Sequence, residues 1–199
     1  MSETPLVIAF KALGNWSAAE SHTLIRSISV IYNAFFVLQF ILGHGPGWHN
    51  RSLRIGIEPI FRYHEPDAIL DLRLSEFLQN LDQYLLQEQQ LLVYRIRLGS
   101  EGIFSFTGLG EIINQIREFI KDLSFRNKKE KELKTLEITE KVLDILQQIG
   151  PPLNEVPSDL RPLYAKTIKI LDCELDKLLS LESKGKLADI PENISYVPS

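Results

Sequence analysis

The stretch from Leu91 to Gly110 constrains the fold of this chain more than any other part of its 199 residues. Its first half alternates like a half-buried β-strand, in which successive side chains point to opposite faces of a sheet. One predicted face carries apolar side chains, namely Leu92, Tyr94, Ile96 and Leu98. The other predicted face carries Val93 and two cations, Arg95 and Arg97.

The second half of this stretch predicts a turn, a return strand and the start of a helix. Gly99 and Gly102 tolerate the positive φ angles that tight hairpin turns require. The alternation resumes over residues 103–106, and Gly108 and Gly110 precede a stripe of isoleucines at helical spacing. The sequence therefore predicts an antiparallel hairpin that leads into a helix, which makes an otherwise helical chain α+β.

Helical periodicity and breaker residues give the order of the remaining elements. A short strand is predicted at residues 6–10, and a capping box formed by Ser17 and Glu20 begins a helix that runs to Leu42. The predicted order is β-α-(β)-α-β-β-α, a small mostly antiparallel sheet packed by helices and followed by a C-terminal helical hairpin. In this order the optional strand is residues 53–57, the next helix reaches about Gln89, and the last helix covers 158–183. We predict an α+β domain at 1–127, a helical hairpin at 128–184 and an extended tail at 185–199.

Composition and charge exclude several broad classes of protein. The chain has 44% hydrophobic and 24% charged residues and a net charge of −4, which provides no general attraction to nucleic acid or anionic membranes. The most apolar segment, residues 24–42, contains Arg26, Asn33 and Gln39, so we expect a buried helix and no membrane span. The first residues lack the pattern of a signal peptide, and a cytoplasmic location is predicted.

No catalytic, cofactor or metal site is predicted from the motifs. His44, His49 and His64 lack a cysteine pair or a convergent ligand spacing. Four acidic residues lie close together in sequence, namely Glu58, Glu65, Asp67 and Asp71. Paired carboxylates can perform acid–base catalysis, but these also suit helix capping and ion pairing with Arg62 or Arg73. The glycines around Leu109 lack the further spacing of a nucleotide-binding loop, and they are interpreted as a tight strand-to-helix turn. The sole cysteine, Cys173, is expected to be packed in a helix, and we expect that the chain is not an enzyme.

The sequence also predicts a basic face as a ligand or partner surface. Arg95 and Arg97 share a strand face, and Lys128 and Lys129 lie in the basic stretch of residues 121–134. Such a face can bind nucleic acid or a small anionic ligand, although RNA-binding sheets usually interleave aromatic side chains with the cations. By strict alternation Tyr94 points away from the two arginines, so a solvated or ion-paired face is the main alternative.

The hairpin and the helix after it also resemble a known group of proteins. The run from Tyr94 to Gly102, with Gly108-Leu109-Gly110 and the isoleucine-rich helix, resembles uncharacterised prokaryotic α+β proteins. That group is similar to the N-terminal domain of the metazoan TRADD death-receptor adaptor. The resemblance covers residues 5–126, and it implies a protein-interaction module in a cellular defence or signalling assembly. It carries no catalytic residues over to this chain.

The residues themselves favour an adaptor or regulatory module for a separate reason. Apolar anchors at helical spacing are plentiful in the last seventy residues, and such faces serve helix-in-groove recognition and oligomerisation. The C-terminal helices are therefore predicted to dock a partner protein or to self-associate, unless their apolar face packs on the domain's own core. A sensor that binds a small ligand or nucleic acid through the Arg95 and Arg97 face is the alternative function.

Overall fold

Three strands and four helices form the part of the chain that the structure, a computed structural model, describes. The described residues are 6–41, 56–57, 67–98, 101–127 and 160–187. The strands are β1 (Leu6–Leu13), β2 (Leu92–Arg97) and β3 (Glu101–Gly108). The helices are α1 (Ala18–Ile41), α2 (Asp67–Gln79), α3 (Gly110–Asn127) and α4 (Arg161–Ser183). The α+β class predicted from the sequence is confirmed.

The sheet is antiparallel, with β3 at its centre in the order β1-β3-β2. Phe10 lies opposite Phe104 in the pairing of β1 with β3, and the rings of Phe10 and Phe106 meet edge to face at 6.0 Å. After α4 the chain returns to the outer side of β1, where Leu187 bridges Ala12. The outer side of β1 is therefore partly closed by the chain itself.

Helix α1 lies at the centre of the fold, and it begins with the predicted capping box. The Ser17 amide donates to Glu20 Oε2 at 2.8 Å, and the Glu20 amide donates to Ser17 Oγ at 3.1 Å. Its residues are buried around most of its circumference, because α2, α3 and α4 all pack against it. In the described residues no helix is long and apolar enough to cross a membrane.

The polar side chains that interrupt the apolar run of α1 each bind a different neighbouring element. Ser27 Oγ donates to Glu174 Oε2 of α4 at 2.8 Å. The Asn33 amide donates to a main-chain carbonyl at the end of α2 at 2.7 Å. The Gln39 amide donates to Gln115 Oε1 of α3 at 3.1 Å. These contacts satisfy polar groups that would otherwise be costly to bury, and they fix which face of α1 meets which helix.

The region before the hairpin departs from the sequence prediction in two places. Helix α2 ends at Gln79, ten residues before the predicted end, because the Asn80 side chain donates to the Glu76 carbonyl at 2.8 Å and two short 3₁₀ turns follow. The strand predicted at 53–57 is wrong at Gly56 and Ile57, which are helical. Gly56 permits close packing instead, since a Cβ there would lie 2.8 Å from the Phe77 ring.

Helix α4 packs along α1, and its apolar face belongs to the same hydrophobic core as the sheet. Lys166 Nζ also lies 2.5 Å from Asp71 Oδ1 of α2, which joins the two helices at their surface. This part of the predicted helical hairpin therefore uses its apolar face inside the fold, whereas Cys173, expected to be packed, is exposed. Residues 128–159 and 188–199 lie outside the described residues, so the predicted boundaries at 127 and 184 stay predictions.

Candidate docking surface

Strand β2 forms an exposed edge of the sheet. Within the described residues it pairs only with β3, and all six of its residues are exposed. The prediction of a half-buried strand is therefore wrong. Five large apolar side chains are 44% to 56% exposed here, four in the strand and one directly after it. They are Leu92, Val93, Tyr94, Ile96 and Leu98. We call these five side chains, with Arg95 and Arg97, the β2 surface.

A β-bulge decides which side chains share a face of β2. Val93 lies opposite Phe106 and Arg95 lies opposite Ser105, so the intervening Tyr94 has no partner in β3. Such an extra residue reverses the alternation beyond it. The predicted faces of β2 are therefore wrong between residues 92 and 94.

The register with β3 assigns the side chains of β2 to two different faces of the sheet. Leu92, Arg95 and Arg97 lie on one face of the sheet, opposite Thr107, Ser105 and Ile103 of β3. Val93 and Ile96 lie on the other face, beside the fully buried rings of Phe106 and Phe104. Because those rings are buried while their neighbours in β2 are exposed, the cover over this face ends between β3 and β2.

The two arginines place exposed positive charge on this edge. Both side chains are exposed, and neither forms an ion pair within the part of the chain that the structure describes. The structure thus places Arg95 and Arg97 together, as predicted. Lys128 and Lys129, the other two residues of the predicted basic face, lie outside the described residues. The β2 surface therefore has Leu92 and the two cations on one face and an apolar strip, Val93 and Ile96, on the other.

The strand-to-helix turn after β3 is engaged by a side chain of α1. The Leu109 amide donates to the Tyr32 hydroxyl at 3.0 Å, and a Cβ at Gly108 would lie 2.8 Å from the Tyr32 ring. Burial raises the pKa of Tyr32 to about 12, so this hydroxyl stays protonated at neutral pH. The amide that an anion would need is thereby occupied, and the glycines serve the turn and the close approach of the ring.

The other candidate sites do not assemble in the described residues. Asp71, one of the four predicted acidic residues, lies 2.5 Å from Lys166 and 3.9 Å from Lys169, so its ion-pair partners among the described residues belong to α4. Asp67 begins α2, while Glu58, Glu65 and the three histidines at 44, 49 and 64 lie outside the described residues. Among the described residues, no three His, Cys, Asp or Glu side chains are grouped as metal ligands would be.

Sequence reasoning missed the contribution of Val93 to the apolar strip. The signal available was the consecutive run Leu91-Leu92-Val93-Tyr94, which violates strict alternation and is typical of a strand with apolar residues on both faces. The position of the bulge itself leaves no mark in the sequence pattern, because it depends on the register with β3.

No family model, curated protein or solved structure matches this chain.

Proposed function

We propose that this chain is a non-enzymatic protein-interaction module, of the adaptor or regulatory kind, that docks a partner protein through the β2 surface. The exposure of five large apolar side chains on one edge strand is the observation that carries the proposal. Folded proteins usually protect such edges or keep them short, and a contiguous exposed apolar patch is typical of an interaction site.

The proposal assigns docking to β2 and not to α4. The apolar face of α4 is buried against α1, so it offers little surface to a partner. The β2 surface, in contrast, overlaps the run from Tyr94 to Gly102 on which the resemblance to the TRADD N-terminal domain rests. Membership of a cytoplasmic defence or signalling assembly is part of this proposal, and the absence of any assembled catalytic group among the described residues is compatible with it.

Affinity capture with matched variants tests the proposal. Tagged full-length protein is incubated with lysate of its own host, and the bound proteins are identified by mass spectrometry and then purified for direct binding measurements. We expect a stoichiometric partner that binds the natural chain and a control variant, R26E/K184E, but not the variant R95E/R97E. The control changes two exposed cations outside β2 to the same extent. A purified partner that binds all three proteins equally would contradict docking through β2.

A second candidate function is a nucleic-acid or small-ligand sensor that uses the same arginines. The exposed Tyr94 has no partner in β3 and directly precedes Arg95, so one edge strand carries an exposed aromatic side chain and two exposed cations. A nucleic-acid base would stack on the Tyr94 ring, and the backbone phosphates would contact the two arginines. Such binding weakens steeply as the salt concentration rises. Labelled single-stranded RNA should then bind less tightly as salt rises and should not bind R95E/R97E. Unchanged binding by that variant would exclude this function.

A further inference from the structure

From the arrangement of β2 we infer that the partner docks as an extended strand along the free side of β2, and that this strand alternates acidic and apolar residues. The inference rests on the proposed function, and it specifies the partner's chemistry and mode of binding. Strand addition uses the main-chain donors and acceptors that an edge strand presents, and alternate side chains supply the specificity.

The main chain of β2 is available for such an addition. Its inner side pairs with β3, and within the described residues no strand lies on its outer side. An added strand would lie roughly 4.8 Å away, which is the normal spacing of hydrogen-bonded strands. The opposite edge of the sheet is less suitable, because Leu187 bridges Ala12 and the Leu13 amide donates to the Lys186 carbonyl at 2.8 Å there.

The charges on β2 determine the side chains of the docked strand. Side chains directly opposite one another in neighbouring strands lie about 5 Å apart on the same face. Arg95 and Arg97 share a face, so two acidic residues spaced i and i+2 in the partner would pair with them. The residue between those acids would point to the other face and pack beside Ile96. The complementary pattern is therefore acidic-apolar-acidic.

A second copy of this chain fits the same edge poorly. In an antiparallel pairing of two β2 strands centred on Ile96, Arg95 of each copy would lie opposite Arg97 of the other, and like charges so placed repel. The positive charge thus disfavours self-pairing in this register, whereas it favours an acidic strand.

A charge-exchange experiment tests the predicted chemistry. The probes are a fluorescein-labelled peptide with the core Glu-Val-Glu-Val-Glu between Gly-Ser flanks and its counterpart with Lys in place of Glu. By fluorescence anisotropy the natural chain and R26E/K184E should bind the Glu peptide about tenfold more tightly than the Lys peptide. The variant R95E/R97E should show the opposite preference. Failure of both peptides to bind at about 1 mM, or a preference that does not reverse, would overturn the inference.

Peptide backbone methylation tests the strand geometry separately. Amide groups of alternate residues in a strand point to the same side, so methylating the amides of either the Glu or the Val residues blocks only one side. We expect one methylated peptide to bind at least about tenfold more weakly and the other to bind like the parent. Equal effects of the two methylations would overturn strand addition. In that case, a lysate partner that binds the natural chain but not R95E/R97E would leave the proposed function intact. A partner that binds both proteins equally would overturn the proposed function as well.

Discussion

The hydroxyl of Tyr32 accepts a hydrogen bond from the amide of Leu109 at 3.0 Å and donates its own proton to the Gln89 carbonyl at 2.9 Å. Gln89 precedes β2, and Leu109 follows β3. One side chain of α1 therefore holds both ends of the β2–β3 hairpin. Because all six residues of β2 are exposed, this contact helps to fix the orientation of β2 relative to the core.

Replacing Tyr32 with Phe should destabilise the fold by about 1–3 kcal/mol, because it leaves the Leu109 amide and the Gln89 carbonyl without their partner. Urea unfolding followed by circular dichroism measures the change. Tyr94→Phe is the matched control, since that side chain is half exposed, and it should alter stability by less than about 0.5 kcal/mol. Equal effects of the two substitutions would contradict the assigned role of Tyr32.

The raised pKa of Tyr32 also predicts a loss of stability in alkaline solution. Burial raises its pKa from 10.0 to about 12, so the folded state keeps a proton that the unfolded state releases between these values. The stabilising contribution is complete below pH 10 and is lost as the pH rises toward 12. We expect the difference in unfolding free energy between the natural chain and Tyr32→Phe to narrow across this window. A difference that stays constant from pH 9 to about 12 would contradict the prediction.

Local signals explain which parts of this fold could be predicted from the sequence. The start of α1 was predictable because Ser17 and Glu20 lie three residues apart, and the hairpin was predictable because its glycines and alternation are contiguous. The partners of Tyr32 lie 57 and 77 residues away, and no local pattern identifies them. The same reason applies to β2, because its bulge and its exposure depend on the register with β3 and on where the helical cover ends.

The buried pair of Ser27 and Glu174 predicts a strong coupling between α1 and α4. The carboxylate of Glu174 is almost fully buried, and it accepts hydrogen bonds from Ser27 Oγ at 2.8 Å and from Lys177 Nζ at 2.7 Å. Ser27→Ala should cost about 1.5–3 kcal/mol, because a charged oxygen loses a donor inside the core. The double variant S27A/E174M should cost less than the sum of the two single changes, since it removes both polar groups. A double-mutant cycle in urea measures this coupling, and strict additivity would contradict it.

The capping box of α1 predicts a loss of stability in acid. Hydrogen bonds from the Ser17 amide and hydroxyl lower the pKa of Glu20 below its ordinary value of 4.5, and nearby Lys186 at 3.2 Å lowers it further. A lowered folded-state pKa stabilises the protein above pH 4.5, and this contribution disappears as the pH falls through the folded value. Glu20→Gln should therefore lower the urea midpoint at pH 7 and have little effect in strong acid. Glu76→Gln, an exposed change on α2, is the control and should change the unfolding free energy at pH 7 by less than about 0.5 kcal/mol.

The exposure of β2 predicts that its charges can be reversed without harm to the fold. Arg95 and Arg97 are exposed and have no carboxylate partner among the described residues, so R95E/R97E should change the unfolding free energy by less than about 0.5 kcal/mol. Phe104→Ala, in the adjacent strand, should cost about 3–5 kcal/mol because its ring is fully buried. Thermal and urea unfolding of both variants measure the contrast. A large loss of stability in R95E/R97E would mean that the arginines support the fold. Unchanged stability would show that folding does not need their charge, so a loss of binding by this variant would report the changed potential that an approaching acidic strand meets.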